Sequence, residues 1–447
     1  MGMMYRSTMG RDPPVDMKTM VFRGVPDDGG LYMPVSWESF SLDEIYSMWD
    51  MPLPEVGYRV GKKFFGDDIP DDVLRQIAED ALNFDIPIEY IGDDIHLMRL
   101  DQGPTGAFKD FAARYMARVI GHYAEYLDRE MVIIVATSGD TGSAVAKAFH
   151  NVPGIKVYVM YPKNEITPTQ AMLMDVLGGN IYARSVDAKF DKLHTFSNML
   201  MEDPDLEHIC RNTANSKHLL RLLPQAIYHI YGSARVGKET GVIAKSDASG
   251  NFGNMTADVI AMKYLGNPVE RIIVATNDND EFPVFMATNR YSPLDPSREC
   301  ISNAMNVGNP SNMRRLFYIY GGCVDSKGNV LKMPDLEAMR RDLFAVSVSD
   351  AVTRERIRKT WKKRRIPVEP HGAVALEAAY RYKAATGLKV PVLVTETAAP
   401  WKFPEVLEEE GVDVETPDWV KEMRGLPKHN KDLPGNYEAV KEDFLSI

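Results

Sequence analysis

The sequence predicts an α/β protein with mostly parallel sheets covered by helices on both faces. Two observations carry this. From about residue 96, short Val- and Ile-rich runs alternate with longer helical patterns. Loops rich in Gly, Ser and Asn lie where such runs hand over to helices. Length and composition agree. A chain of 447 residues is too long for one simple domain, and 45% hydrophobic with 26% charged residues is ordinary for a globular enzyme. Disordered, collagen-like and disulfide-scaffold classes are excluded.

Residues 1–95 are expected to form a separate N-terminal lobe. Turn signals mark Asp12-Pro13-Pro14 and Pro26-Asp27-Asp28-Gly29-Gly30, and the acidic stretch from Asp71 to Ile77 predicts a helix. The continuous apolar run at 131–136 predicts a buried strand, with a helix over 143–150. A strand at 156–161 and a helix from Thr167 follow. The alternation returns at 241–248, 255–266, 271–276 and 390–396. The catalytic part is expected over 96–410, as two lobes. Residues 411–447, charged and Pro-rich, are expected to wrap the surface as a tail.

The formal net charge is −11, which argues against nucleic acid and anionic membranes as partners. The one cationic run, Arg354–Arg365, is expected to be a solvated helix face. No run approaches about 18 apolar residues, and the N-terminus has no apolar core of a signal peptide. Cys210, Cys300 and Cys323 lie far apart and are expected to be free thiols. The cytoplasm is the expected location. No metal site is expected: His371 lacks a second His or Cys at ligand spacing, and Asp278 and Asp280 suit turns and helix caps.

Ligands of open α/β sheets bind at the carboxyl ends of strands. Thr137-Ser138-Gly139-Asp140-Thr141-Gly142 follows such a strand, and its hydroxyls and helix-start N–H groups can hold a carboxylate. Ser249-Gly250-Asn251-Phe252-Gly253-Asn254 opens another helix and suits a phosphate. In Gly103-Pro104-Thr105-Gly106-Ala107-Phe108-Lys109-Asp110-Phe111, Lys109 stands at a helix start among apolar residues. Desolvation and the positive helix end would both lower its pKa, and a neutral amine is what a Schiff-base lysine needs. An amine nucleophile, a phosphate cradle and a carboxylate cradle together suggest pyridoxal phosphate with an amino-acid substrate.

These three segments, in this order, resemble the threonine synthase family of pyridoxal-phosphate enzymes (fold type II). Supporting matches include Asp28-Gly29-Gly30-Leu31-Tyr32-Met33-Pro34, Ala214-Asn215-Ser216, Arg221-Leu222-Leu223-Pro224-Gln225, Asn309-Pro310-Ser311-Asn312 and Glu396-Thr397-Ala398. The resemblance covers roughly residues 20–410. It implies two lobes of mostly parallel open sheets plus an N-terminal lobe of the family's type. It implies that Lys109 holds the cofactor's aldehyde and shuttles protons. Gly250, Asn251, Phe252, Gly253 and Asn254 would hold its phosphate, and Thr397 its ring nitrogen. Thr137, Ser138, Gly139, Asp140 and Thr141 would take the substrate carboxylate. Lys163, Asn215, Ser216 and Arg221 would meet the substrate phosphate.

The implied reaction is that of a lyase, from O-phospho-L-homoserine and water to L-threonine and phosphate, in a monomer or homodimer. The chain departs from the family pattern at Ala399, where His is usual, at Lys217-His218, where Ile-Asn is usual, and at Ser7-Thr8-Met9-Gly10, where Ser-Thr-Arg-Gly is usual. These departures motivate an alternative: a related phospholyase acting on another phosphorylated amino acid such as O-phosphoserine.

Overall fold

The computed structural model describes residues 2–125 and 127–447. Two large sheets are built as the alternation predicts. One has five parallel strands in the order Lys431–Leu433, Ile181–Val186, Ile155–Pro162, Met131–Ala136 and Cys210–Thr213. The other has six, in the order Leu343–Ser347, Val269–Thr276, Ile243–Ala248, Val392–Glu396, Ile95–Arg99 and Ile88–Gly92. Its strands are parallel except the last pair, which is antiparallel. Helices cover both faces, so the central strands Met131–Ala136 and Ile243–Ala248 are buried at every position.

Burial of Ile243–Ala248 includes Lys245 and Asp247. Lys245 Nζ lies 3.1 Å from Asp258 and donates to the His229 carbonyl at 2.7 Å, so the strand carries its own ion pair inward. His229, Asp247 and Asp258 are close enough to share a metal ion, but the Lys245 ammonium supplies the positive charge there.

The structure moves two expected boundaries. The strand Ile88–Gly92 belongs to the six-stranded sheet, so the N-terminal lobe gives way to the catalytic body before residue 95. That lobe does hold its own small antiparallel sheet of Val15–Asp16, Met4–Ser7 and Tyr32–Pro34, and the predicted helix, Asp71–Ala81. It does not have a separate core. Phe65 stacks on Tyr115 at 6.0 Å, and Phe84 meets Phe111 edge-on at 4.7 Å, within one continuous apolar cluster.

The C-terminal segment is not a surface tail. Lys431–Leu433 extends the five-stranded sheet, and the helix Tyr437–Leu445 buries Val440 and Phe444. Asp443 receives hydrogen bonds from Arg184 and from the Tyr158 hydroxyl at 2.9 Å. Sequence patterning misses this because a three-residue strand carries almost no periodic signal. The Arg354–Arg365 run lies on the helix Asp350–Arg364, whose charged side chains are mostly exposed. No helix among the described residues is long and apolar enough to cross a membrane.

Candidate active site

The carboxyl ends of both sheets face one narrow pocket. It is lined by Lys109, Thr137, Ser138, Asp140, Thr141, Asn215, Ser216, Arg221, Gly250–Asn254 and Thr397. Lys109 opens the helix Lys109–Ala124, on a loop that Asp110 ties together by accepting from the Thr105 N–H at 2.8 Å and the Thr105 hydroxyl at 2.7 Å. Thr397 closes this loop from the other side, its carbonyl accepting from the Phe108 N–H at 2.9 Å.

Lys109 Nζ lies 3.4 Å from Asp140, with its side chain 15% exposed. Burial pushes its pKa down. Asp140 opposes this, and Lys402 and Arg221 reinforce it. Asp140 itself is shared. Lys402 Nζ lies 2.7 Å from its Oδ1, and Gln170 donates to the same oxygen at 3.0 Å. Burial opposes the charge on Asp140, but Lys402 and then Lys109 hold its carboxyl far below the ordinary range. Its side chain therefore serves the two lysines and cannot attract a substrate carboxylate. Thr137 is likewise engaged in bracing: its hydroxyl accepts from the Gly139 and Gly142 N–H groups at 3.0 and 2.8 Å.

The Ser249–Asn254 loop is shaped for a bulky anion. Phe252 is held at φ 59°, a costly conformation for an aromatic residue. It places Gly253 at the first turn of the helix Gly253–Tyr264, where no side chain caps the free N–H groups. A Cβ on Gly253 would find no heavy atom nearer than the Gln225 amide at 3.5 Å, so an open cradle lies over these donors. A Cβ on Gly250 would instead strike the Ala304 carbonyl at 2.6 Å. The Asn254 side chain turns away, held by the Tyr228 hydroxyl at 2.7 Å and by His229, so only its backbone faces the pocket. A lysine amine whose pKa is pushed down by burial, an uncapped helix start and an open cradle fit a phosphorylated aldehyde cofactor.

Asn215 spans both backbone groups of Ala136, and Ser216 meets Ser311 at 3.1 Å. Arg221 is buried, forms no ion pair with a carboxylate among the described residues and leaves Nε without a hydrogen bond, which suits an anionic ligand. Lys163 does not join this group. It is half-exposed, pairs with Asp432 at 2.7 Å, and is absent from the pocket wall.

Two residues near Lys109 escape sequence reasoning: Lys402 and Gln170. Lys402 and Gln170 reach Asp140. His371, at the start of the helix Pro370–Thr386, accepts from the Ala304 N–H at 3.0 Å and is bound by Glu369, fixing the loop over the pocket. A buried lysine in Pro400-Trp401-Lys402-Phe403, among apolar neighbours, was the available signal. Of the departures from the family pattern, Ala399 packs in an apolar cluster with Trp401, and His218 caps a helix and bonds the Val21 carbonyl. Lys217 alone of that pair faces the cleft.

Comparison with known proteins agrees. Residues 85–397 match the model of pyridoxal-phosphate dependent enzymes, residues 4–82 that of the threonine synthase N terminus, and residues 372–443 that of the threonine synthase C-terminal region. The chain is 33% identical to threonine synthase of Escherichia coli over 438 residues, covering 97% of each chain. It is 32% identical to that of Haemophilus influenzae, covering 97% of this chain and 96% of the other. A crystal structure of the Escherichia coli enzyme superposes with a TM-score of 0.88 over 99% of this chain and 100% of the other. A pyridoxal-phosphate-bound threonine synthase from Brucella melitensis, 25% identical, superposes with a TM-score of 0.90 over 99% of this chain and 98% of the other. The ordered motifs, the two-sheet architecture and the matches over nearly the whole length agree: the chain belongs to the threonine synthase family of pyridoxal-phosphate-dependent enzymes.

Proposed function

We propose that this pocket converts O-phospho-L-homoserine and water to L-threonine and inorganic phosphate, with pyridoxal 5'-phosphate as cofactor. The observation that carries this reading is the buried Lys109 amine beside Asp140, facing the open helix start at Gly253 within one pocket. Relatives matched over nearly the whole chain are threonine synthases, which favours this reaction over one on O-phosphoserine.

In this reading Lys109 binds the cofactor aldehyde, backbone N–H groups of Gly250–Asn254 hold its phosphate, and the Thr397 hydroxyl meets its ring nitrogen. The bound cofactor supplies an electron sink for the carbon centres that lose protons. Lys109 Nζ lifts one proton from Cα and one from Cβ of the substrate. The Cγ–O bond breaks with its electron pair on the phosphate. Nζ returns protons at Cγ and Cα, and water adds its hydroxyl at Cβ while its proton goes to the departing phosphate. Burial pushes the Lys109 pKa down, which enlarges the share of neutral amine that can take the first proton. Backbone donors of the Thr137–Thr141 loop orient the substrate carboxylate. Arg221, with Ser216 and Asn215, receives the substrate phosphate. A monomer or homodimer in the cytoplasm belongs to the same reading; the three cysteines are unpaired, as suits a reducing compartment.

Two measurements test it. Phosphate and threonine should appear in equal amounts from O-phospho-L-homoserine and not from O-phosphoserine. Borohydride reduction of the yellow enzyme should label the Lys109 peptide. Formation of 2-oxobutyrate without threonine, or a label elsewhere, overturns the reading.

A further inference from the structure

Beside the narrow pocket lies a much larger cavity of about 1340 Å³, between the N-terminal lobe and the catalytic body. The two share Phe190 and Asn251 in their walls, so the large cavity, here called the vestibule, adjoins the small one. Three elements bring nitrogen groups into it. His194 comes from the helix Phe190–Glu202, Lys217 from the loop after the strand Cys210–Thr213, and Arg314 from the helix Met313–Ile319.

These groups are held only by neutral atoms. Lys217 donates to the Asn198 amide oxygen, and Arg314 to the carbonyls of Ser311 at 3.2 Å and Gly29 at 2.8 Å. Among the described residues no carboxylate forms an ion pair with any of the three. Of the carboxylates in the same wall, Asp27, Asp191, Glu202 and Asp325, Glu202 favours the charge on Lys217 and Asp325 that on Arg314. Burial first, then Arg314, pushes Lys217 down to about 8. Burial, then Lys217 and Arg314, pushes His194 down to about 3. Two like charges brought together out of water repel each other unless an anion joins them. Ser311, whose carbonyl anchors Arg314, also donates to Asn251 in the wall shared with the narrow pocket.

We propose that Lys217, Arg314 and His194 form an anion site in the vestibule that takes a phosphate group, distinct from the Arg221 position inside the pocket. The inference rests on the proposed reaction for its ligand, since that reaction brings in a phosphate monoester and releases inorganic phosphate. Lys217 is the decisive member, because its amine is held by the neutral Asn198 amide oxygen while the Arg314 guanidinium acts on it. The site collects the dianion at the mouth of the pocket, as the incoming monoester or as the outgoing product.

The test uses the holoenzyme with inorganic phosphate as the probe. Calorimetric titration should show phosphate binding that weakens about tenfold in Lys217→Gln and in Arg314→Gln, as for loss of a charge-assisted hydrogen bond, and that is retained in Lys217→Arg. Capture of the monoester predicts a similar fall in kcat/KM for O-phospho-L-homoserine at low substrate. Retention of the product predicts instead a raised inhibition constant for added phosphate with kcat/KM preserved. Either kinetic pattern supports the site. Unchanged phosphate binding in both glutamine variants overturns it, as does equal weakening in Lys217→Arg. Phosphate titration needs no turnover, so an enzyme that makes no threonine would sink the proposed reaction and leave this test readable.

Discussion

Lys109 and Lys402 compete for one carboxylate, and Lys402 holds the closer contact. Lys402 has the shorter contact with Asp140 and donates to the Thr105 carbonyl at 3.0 Å as well, so it is the more firmly anchored of the two. Lys109 is left with the longer contact and with a positive charge nearby. Lys402→Met should hand Asp140 to Lys109 as an undivided counter-ion and raise the Lys109 pKa. The amine is then protonated over a wider range of pH. The acid limb of kcat should therefore move toward alkaline pH, with activity at neutral pH down by about tenfold or more, and Lys402→Arg should restore much of it. A pH–rate profile that does not move would show that Lys402 only packs. Gly250 is constrained by backbone alone: its added Cβ would lie 2.6 Å from the Ala304 carbonyl and 2.9 Å from Met305 Cα. Overpacking of this kind costs about 1–3 kcal/mol, so Gly250→Ala should weaken cofactor binding by about tenfold, as read by titrating the apoenzyme with pyridoxal phosphate.

The C-terminal strand and helix are joined to the five-stranded sheet through Asp443, which contacts Arg184, Lys431 and Tyr158. Arg184 is buried, so Asp443→Asn leaves a cation without its partner. The expected loss is about 3 kcal/mol, measured by urea unfolding. Burial pushes the Asp443 carboxyl up, but Arg184, Lys431 and Tyr158 outweigh it and hold the group below its ordinary value. A depressed carboxyl contributes its full stability above the unfolded pKa and loses it as pH falls through the folded one. The difference between wild type and Asp443→Asn should accordingly be largest near neutrality and shrink in acid. A difference independent of pH would mean that packing, not charge, joins these elements.

At the scale of the whole molecule, the N-terminal lobe is part of the body it covers. Phe65 and Phe84 pack on Tyr115 and Phe111 of the helix that begins with Lys109. Arg315, fully buried, donates to carbonyls of Tyr32, Ser216 and Lys217 and so joins this lobe to the wall of the pocket. Removing residues 2–82 should uncover this apolar surface and leave the chain insoluble or loosely packed, with weak near-ultraviolet circular dichroism. A soluble, cofactor-binding truncation would show that the catalytic body folds alone.

Much of this was legible in residue order. Alternating apolar runs and helical patterns specify parallel sheets with two covered faces, because the burial of a strand is recorded in its own residues. The glycine loops after Met131–Ala136 and Ile243–Ala248, and the lysine opening a helix, are local features, and a chain carries local features in sequence. Pairings between distant segments are a different matter. Asp140 lies 31 positions from Lys109 and farther still from Lys402, and nothing local marks them as neighbours. The same holds for the C-terminal strand beside Ile181–Val186, for the displacement of Lys163 to Asp432, and for the meeting of His194, Lys217 and Arg314. Which charges share a desolvated space depends on how sheets and lobes dock, and only the tertiary structure decides that.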